Sequence, residues 1–293
     1  MTQVTVGYVG LGTMGLPMAG NLVKAGYAVH GFDVSDAVRQ HAAQRGIRME
    51  DSPEAVGKAC DVVLMCLPTP EAVEQTVDAL CGGMAAGGVI VDHSTMSPTL
   101  EQSLAARASA NSLSYLDAPL SGAGVGAEEA TLSIMVGGDA GAFERCKPLF
   151  DVMGANVFHL GQVGNGQCLK LCQNLNLLAT LSGVMESIVL GRAVGVEPQQ
   201  LLAMMDTCIA PSRVMEVLVK PKFDGRVPFD HTTEGMKMIT KDITLVRELA
   251  ESLDLQLPVM ERIQDLYRQA VAKGKGKHDL LGWYELVEEK LFV

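Results

Sequence analysis

The feature that most constrains the fold is a glycine-rich run between an apolar strand and a helix. Val4, Val6 and Val9 begin a buried strand, and directly after it comes the run Gly10-Leu11-Gly12-Thr13-Met14-Gly15. Glycines at this spacing permit a tight turn, close approach of backbone N–H groups to a pyrophosphate, and close packing of helix against strand. The N-terminus of the helix that follows directs the positive end of its dipole at the phosphates. The run therefore predicts a dinucleotide-binding turn.

An acidic residue completes this motif at the end of the second predicted strand. Asp33 lies 18 residues after Gly15 and ends the strand Ala28–Phe32. A carboxylate at this place accepts hydrogen bonds from a ribose diol and repels a 2′-phosphate, so it favours NAD over NADP. Val34 and Ser35 follow it, where an NADP-selective chain tends to have arginine. We therefore expect NAD as the cofactor.

The first half of the chain alternates short apolar strands with helices, which is typical of a parallel sheet covered on both faces. Ser52-Pro53 and Ser97-Pro98 each place a cap before a proline at the start of a helix. The predicted fold class is α/β, a Rossmann-type, doubly wound, mainly parallel sheet over residues 1–162. Its further strands are predicted at Val62–Cys66, Val89–Asp92, Tyr115–Ala118 and Leu132–Val136.

Residues 163–293 are predicted to form an all-helical domain for substrate binding and oligomerisation. It begins with one long helix, Gln167–Val194, whose apolar residues lie nearly all round it, so we expect burial between domains or subunits. The segment Gly274–Lys277 predicts a flexible break, because no strand precedes it as a phosphate loop requires. Further helices are predicted at Gln199–Thr207, Glu234–Leu253, Pro258–Lys273 and Leu280–Lys290.

Charge and cysteine usage narrow the class of protein. The chain has 293 residues and a net charge of −11, which argues against nucleic acid or an anionic membrane as partner. Its seven cysteines include no CxxC pair, which favours reduced thiols in the cytoplasm. Cys168 and Cys172 lie four residues apart without a further ligand nearby, so no metal site is expected. Neither a signal peptide nor an uninterrupted apolar run of transmembrane length is expected.

Polar loops follow the ends of several predicted strands. Ligands of open α/β sheets collect at the carboxyl ends of the strands, so Cys66-Leu67-Pro68 and His93-Ser94-Thr95 are expected to border the nucleotide. Ordinary turn chemistry is the alternative for both loops. The segment Asp117–Ala123 also ends a strand and contains a small-residue turn. Its backbone N–H groups, together with the Ser121 hydroxyl, form a candidate carboxylate site.

The start of the long helix carries a candidate acid/base. Lys170 and Asn174 share one face of this helix, with Gln167 one turn before them. A lysine on a helix is most often solvated, but the rest of this helix is apolar, so Lys170 is expected in a cleft. Desolvation lowers the pKa of a lysine, which suits proton transfer to an alcohol near neutral pH.

Taken in order, four motifs resemble those of the β-hydroxyacid dehydrogenase family along the whole chain. They are Gly10–Met18, Asp117–Gly122, Gly164–Asn174 and Lys241-Asp242. The resemblance implies reversible oxidation of the β-hydroxyl of a small carboxylic acid, with Lys170 as general acid/base and Asn174 orienting the substrate. It further implies that Ser121, Gly122 and Ala123 hold the substrate carboxylate, that Thr95 and Lys241 border the nicotinamide, and that Leu67 and Pro68 border the adenosine ribose.

Two departures and several alternatives remain open at this point. The family usually has glycine where this chain has Ala123, and asparagine where it has Gln173. His93 is an alternative acid/base, and Arg213 could hold a second anionic group. The rival functions are an imine reductase or phosphogluconate-type dehydrogenase on the same architecture, and a non-catalytic NAD-binding module. The substrate is expected to resemble 3-hydroxyisobutyrate, or tartronate semialdehyde and glycerate, and the assembly to be a homodimer or homotetramer.

Overall fold

The structure, a computed structural model, describes residues 4–227 and 235–284. It divides into two compact units, the first ending at Lys170 and the second beginning at Leu171. The domain boundary predicted after residue 162 stays a prediction. The predicted helix Leu280–Lys290 lies largely outside the described residues, and the described part of it is mostly turn.

The first unit is built on a mainly parallel sheet, as the sequence predicts. Its order is β3-β2-β1-β4-β5-β6-β8-β7, with β9 pairing with β8. Strands β1 to β6 run parallel, β8 runs antiparallel to β6 and β7, and β9 runs parallel to β8. The strands are β1 Val6–Val9, β2 Val29–Phe32, β3 Arg48–Met49, β4 Val62–Met65, β5 Val89–Asp92, β6 Ser114–Asp117, β7 Leu120–Ser121, β8 Leu132–Gly138 and β9 Gly154–His159.

Helices cover this sheet and begin at caps that the sequence predicts. Ser52 accepts a hydrogen bond from the Ala55 amide and Ser97 accepts one from the Leu100 amide, each just before a proline. The helices of the first unit are α1 Gly15–Lys24, α2 Asp36–Gln44, α3 Pro53–Ala59, α4 Pro70–Gly83, α5 Pro98–Ala110, α6 Ala123–Glu128 and α7 Ala140–Met153.

The strand order creates a switch point between β1 and β4. From β1 the chain moves to β2 on one side, and after β3 it returns to pair β4 against the other side of β1. Every residue of β1, β4 and β5 is buried, as expected for strands covered on both faces. In sheets of this kind the crevice at the carboxyl ends of such strands is where ligands bind.

A long helix, α8 Asn165–Ala193, begins in the first unit and continues into the second. By length and composition α8 is apolar enough to cross a membrane. Its apolar residues do not form an uninterrupted run, because Lys170, Gln173 and Asn174 lie among them. One such helix is weak evidence, because the core helix of a soluble protein passes the same test. Its predicted burial between domains or subunits stays a prediction.

Every regular element that the structure describes in the second unit is a helix or a helical turn. Its core includes Leu178, Met185, Ile239, Tyr267 and Trp283. The segment Lys275–Lys277, predicted as a flexible break, forms a 3₁₀ turn. A π-helical turn at Met215–Val219 and the short helix after it have no counterpart in the sequence prediction. The helices are α9 Pro198–Met205, α10 Lys220–Phe223, α11 Gly235–Ser252 and α12 Pro258–Ala272.

Candidate functional site

The glycine-rich turn between β1 and α1 has the close packing that its sequence predicts. Gly10 has a φ of +86°, and a Cβ there would strike the carbonyl oxygen of Cys66. A Cβ at Gly15 would strike the carbonyl oxygen of Gly10. At Gly12, which is exposed, a Cβ would meet no atom within 4 Å. The turn is therefore sterically closed on its sheet side and open at Gly12, which fits a cradle for a phosphate group.

Asp33 is held beside this turn by backbone amides. One carboxylate oxygen accepts a hydrogen bond from the Leu11 amide at 2.8 Å, and the other accepts one from the Ser35 amide at 2.9 Å. The side chain is only partly buried. Each carboxylate oxygen has further lone-pair capacity, so Asp33 can bind the turn and still accept from a ribose diol. The structure thus brings Asp33 and the glycine-rich run together.

The loops after β4 and β5 are also joined. The Leu67 amide donates to the Ser94 hydroxyl at 2.9 Å, and the Ser94 amide donates to Asp92 Oδ1 at 2.7 Å. Leu67 and Thr95 are half-buried, while Pro68 is exposed. These loops lie on neighbouring parallel strands whose carboxyl ends meet at one edge of the sheet.

A buried polar network lies behind the loop after β5. The Tyr115 hydroxyl is 2.7 Å from Glu101 Oε2 and 3.3 Å from Asp92 Oδ2. Gln167 Nε2 donates to Glu101 Oε1 and to the Ser94 carbonyl oxygen, both at 2.8 Å. The Asp92, Glu101 and Gln167 side chains are fully buried. Burial raises the pKa of Asp92 to about 6 and holds the pKa of Glu101 well above its usual range.

Asp117, at the end of β6, anchors the start of α8. Its two carboxylate oxygens accept hydrogen bonds from the Gly164 amide at 2.8 Å and the Gln167 amide at 2.9 Å. Burial raises the pKa of Asp117, and these amide bonds oppose that shift. A negative charge at a helix N-terminus is favoured by the helix dipole. Asp117 thereby fixes the first turn of the helix that carries Lys170, a half-buried residue three positions after Gln167.

The small-residue turn after β7 lies against the glycine-rich run. Gly122 has a φ of +137° and Ala123 a φ of +54°, so both adopt backbone conformations that favour glycine. A Cβ built on Gly124 would lie 3.4 Å from Thr13 Cγ2. Asn21 of α1 donates to the Ala127 carbonyl oxygen at 2.8 Å, which joins α1 to α6. Ser121, Gly122 and Ala123 therefore lie on a turn packed beside the predicted phosphate cradle.

In the second unit, Asn174 belongs to a polar cluster with α11. Asn174 is buried, and its side-chain amide donates to Asp242 Oδ2 at 2.8 Å. Lys241 Nζ lies 3.3 Å from Asp242 Oδ1. The structure thus brings Asn174 and Lys241 together through Asp242, to which the sequence assigns no role. One signal was available, because Asp242 falls on the apolar stripe of α11, one turn after Ile239 and one turn before Val246.

His93 has an environment unsuited to the acid/base role that the sequence left open for it. The ring is 2% exposed. Its Nδ1 lies 2.7 Å from the Ala118 carbonyl oxygen, so this nitrogen carries the proton and donates it. Burial lowers the pKa of His93 to about 4. The imidazole is therefore neutral near neutral pH and is held as a packing group between Tyr8 and Phe150.

The sequence also singles out Arg213 and the cysteines. Arg213 is exposed just before the π-helical turn of the second unit. Within the described residues, no three His, Cys, Asp or Glu side chains come together as a group that could hold a metal ion. All seven cysteines are thiols outside any disulfide, with Cys168 half-buried and Cys172 exposed.

Comparison with known proteins covers both halves of the chain. The family model described as the NAD binding domain of 6-phosphogluconate dehydrogenase matches residues 5–161. The model described as NAD-binding of NADP-dependent 3-hydroxyisobutyrate dehydrogenase matches residues 164–287.

Individual relatives match over nearly their full length. An NAD-dependent L-serine dehydrogenase of Pseudomonas aeruginosa is 34% identical, with 98% of this chain and 97% of the relative covered. A 2-hydroxy-3-oxopropionate reductase of Escherichia coli is 32% identical, with 94% of each covered. A solved structure of 3-hydroxyisobutyrate dehydrogenase from Mycobacterium tuberculosis with L-serine has a TM-score of 0.87 at 27% identity, with 100% of each chain covered.

Proposed function

The chain belongs to the β-hydroxyacid dehydrogenase family of oxidoreductases, and from this premise we propose that it transfers a hydride between NAD and the β-hydroxyl carbon of a small hydroxy acid. Lys170 is the proposed general acid/base, and the turn Ser121–Ala123 is the proposed carboxylate site. Asn174 is proposed to orient the substrate beside Lys170, from its place one turn further along α8.

The observation that carries this proposal is the packing of the small-residue turn beside the glycine-rich run. A Cβ built on Gly124 would lie in van der Waals contact with Thr13 Cγ2, at 3.4 Å, so the two turns are neighbours. This packing supports a carboxylate site at the same edge of the sheet as the proposed phosphate cradle. The same edge also anchors the start of α8, through Asp117 and the Gly164 and Gln167 amides. The carboxyl ends of neighbouring strands thus support both proposed ligand sites and the helix that carries Lys170.

The cofactor has a set of residues that would hold it. Gly10, Leu11, Gly12, Thr13, Met14 and Gly15 would carry its phosphates on backbone amides, and Asp33 would accept from a ribose diol. Leu67 and Pro68 are proposed near the adenosine ribose, and Thr95 and Lys241 near the nicotinamide. When bound, the nicotinamide ring supplies or accepts the hydride.

Lys170 is proposed to move the proton. In oxidation the neutral amine accepts the hydroxyl proton as the carbinol carbon loses a hydride, so the alcohol gives up one proton to Lys170 and one hydride to the nicotinamide. In reduction the ammonium group polarises the carbonyl and returns the proton to its oxygen. The carboxylate site fixes the substrate so that this oxygen faces the amine, which lowers the entropic part of the barrier.

NAD is the proposed cofactor in preference to NADP. The support is Asp33, whose charge disfavours a 2′-phosphate. A cation on the neighbouring helix is engaged elsewhere: Arg39 donates to the Glu50 carbonyl oxygen at 3.1 Å and lies over the Phe32 ring at 5.7 Å. Measured kcat/KM values should favour NAD by about tenfold or more. A preference for NADP would overturn this assignment.

The substrate is proposed to combine a carboxylate with a β-hydroxyl or β-carbonyl, as in 3-hydroxyisobutyrate, glycerate and tartronate semialdehyde. L-Serine has the same core and enters the test, because two of the similar proteins carry it in their names or bound to them. The purified protein is assayed for NADH formation or consumption with each compound, and 2-hydroxybutyrate serves as the matched control. Activity on β-hydroxy acids and none on the α-hydroxy control is expected. Silence with every β-hydroxy acid would refute the proposal.

The rival functions have weaker support. Imine reductases share the architecture, with a TM-score of 0.66 at 19% identity for one of them, a likeness that shows the fold alone. A phosphogluconate-type substrate would need cations for its phosphate, and Lys170 is the one cation among the residues proposed to hold the substrate. A non-catalytic NAD-binding module would bind NADH yet leave every substrate unchanged, so the same panel distinguishes it.

Assembly and location complete the proposal. Exposed apolar side chains on α8, at Leu169 and Leu190, support a homodimer or homotetramer. The seven cysteines, all outside any disulfide, and the similarity to metabolic enzymes support a cytoplasmic location. Light scattering of the purified protein tests the assembly, and a monomer at micromolar concentration would contradict it.

A further inference from the structure

Gln167 makes contact with both residues that flank Thr95. Its side-chain nitrogen donates to the Ser94 carbonyl oxygen at 2.8 Å, and its side-chain oxygen accepts from the Met96 amide at 3.2 Å. Its backbone amide donates to Asp117 at 2.9 Å. One fully buried side chain on the first turn of α8 therefore spans the loop after β5 on either side of Thr95.

Glu101 fixes the orientation of the Gln167 amide. Glu101 Oε1 accepts from Gln167 Nε2 at 2.8 Å, so that nitrogen donates to both Ser94 and Glu101. The amide then cannot turn over without placing an oxygen against two acceptors and a nitrogen against a donor. Glu101 itself is held by Tyr115, at 2.7 Å from Oε2.

The hydrogen count favours a protonated Glu101. The Tyr115 hydroxyl has one proton but lies within hydrogen-bond distance of both Glu101 and Asp92. A carboxylic acid at Glu101 would donate to the Tyr115 oxygen, leaving the Tyr115 proton for Asp92. Burial acts in the same direction, because it raises the pKa of Glu101 well above its usual range.

We propose that Gln167 and Glu101 are positioning residues, a clamp that fixes the loop Ser94–Met96 against the first turn of α8 and so sets Thr95 relative to Lys170. This inference rests on the proposed function, in which Thr95 borders the nicotinamide and Lys170 moves the proton. Displacement of catalytic groups by about 1 Å can lower a rate by about 100-fold. A clamp that touches neither substrate nor cofactor can therefore control the rate.

Paired variants separate positioning from simple loss of stability. Gln167→Met removes all three side-chain hydrogen bonds at similar volume, and kcat is expected to fall about 10- to 100-fold. Glu101→Gln preserves the pattern, since its oxygen accepts from Gln167 and its nitrogen donates to Tyr115, so kcat stays within about threefold. Glu101→Leu breaks the pattern and should resemble Gln167→Met. Thr76→Val, which removes a buried hydroxyl on α4 away from the clamp, is the matched control and should leave kcat unchanged.

Hydrogen exchange gives a readout that does not depend on activity. In the wild-type protein the Met96 amide should exchange slowly, and in Gln167→Met it should exchange at least about tenfold faster while the β5 amides keep their protection. A fast Met96 amide in the wild-type protein would overturn the proposal even if Gln167→Met fails to fold. Wild-type kcat in a folded Gln167→Met variant, or equal loss in Glu101→Gln and Glu101→Leu, would overturn it too. An inactive wild-type protein would refute the proposed function alone and leave the exchange result to decide the clamp.

Discussion

Aspartates end strands on both sides of the switch point, but their surroundings differ. On the β1–β2 side, Asp33 is partly exposed and its oxygens accept only backbone amides of neighbouring turns. On the β5–β6 side, Asp92 and Asp117 are fully buried, and burial raises the pKa of both. The same residue type near the carboxyl ends of strands is thus suited to ligand recognition on the β1–β2 side, called here the recognition side, and to holding neighbouring elements on the β5–β6 side, called the support side.

This difference separates carboxylates that can bind a ligand from carboxyl groups that hold the protein's own elements in place. An exposed carboxylate keeps its charge and its free lone pairs for a ligand. A buried carboxyl loses solvation and must satisfy its oxygens within the protein, so it organises backbone amides and side chains around it. The β5–β6 side accordingly holds the loop of Thr95, which is proposed to border the nicotinamide, and the helix of Lys170, which is proposed to move the substrate proton.

The largest effect is expected from substitution of Lys170, which the β5–β6 side supports. Lys170→Met removes the amine at similar length, and kcat should fall about 100- to 10,000-fold, because general acid/base catalysis contributes that much. NADH binding, measured by fluorescence titration, should change little. Lys147→Met, a change in an exposed residue of α7, is the matched control and should retain wild-type kcat. A Lys170→Met protein that turns over normally would remove Lys170 from the mechanism.

The next largest effect is expected from substitution of Asp33, on the recognition side. Asp33→Ser removes the acceptor proposed for the ribose and the bond to the Leu11 amide, so kcat/KM for NAD should fall about 10- to 100-fold. The value for NADP should fall less or rise, because the repulsion is gone. Asp36→Ser is the control, because it removes the same charge at the exposed start of α2, away from the strand end. It should leave the preference for NAD over NADP unchanged. An equal loss for both cofactors would show that Asp33 only supports the turn.

A third prediction concerns the pH dependence of stability on the support side. The pKa of Asp92 is raised to about 6 in the folded protein from an ordinary value of 3.8, so between these values the folded state binds the proton more tightly than the unfolded chain. Its contribution to the free energy of unfolding is therefore highest below pH 3.8 and falls as the pH rises through about 6. Relative to the wild type, Asp92→Asn should gain on the order of 2 kcal/mol across this window. Urea titrations at several pH values measure it, and a constant difference would contradict the assignment.

The smallest effect tests strain beside the recognition side. Ala123 has a φ of +54°, a conformation that glycine adopts without cost. Ala123→Gly should raise the free energy of unfolding by about 0.5–1 kcal/mol, because relief of strain exceeds the entropy cost of glycine in the unfolded chain. Ala106→Gly, in the interior of α5 with an ordinary helical φ, should lower it by about the same amount. Urea denaturation measures both variants. If Ala123→Gly lowers the free energy of unfolding as Ala106→Gly does, Ala123 is not strained.

Much of the recognition side could be predicted from the sequence. The glycine-rich run, Asp33 and the two strands that carry them form one continuous segment, Val4–Asp33, so the pattern can be read from neighbouring stretches of sequence. The structure confirms the mainly parallel sheet and the apolar strands β4 and β5. The roles proposed for Lys170, Asn174 and the Ser121–Ala123 turn stay predictions.

The support side was less accessible to sequence reasoning, because its contacts join distant residues. Gln167 reaches Glu101 across 66 positions, and neither side chain belongs to a pattern that sequence periodicity detects. Strand β9 was missed for a different reason, since it is largely exposed and its apolar residues do not alternate with polar ones. Strands β3 and β7 have two residues each, which is too short for alternation to show.

The central claim is that the Lys170 amine moves the proton, and chemical rescue tests it most directly. Lys170→Ala leaves space for a small amine, so added methylamine should restore the lost kcat in proportion to its concentration, and amines of different pKa should differ in rate. Tetramethylammonium, a cation without a transferable proton, should restore nothing. A kcat within about threefold of wild type in Lys170→Ala, or equal rates with methylamine and tetramethylammonium, would contradict the account.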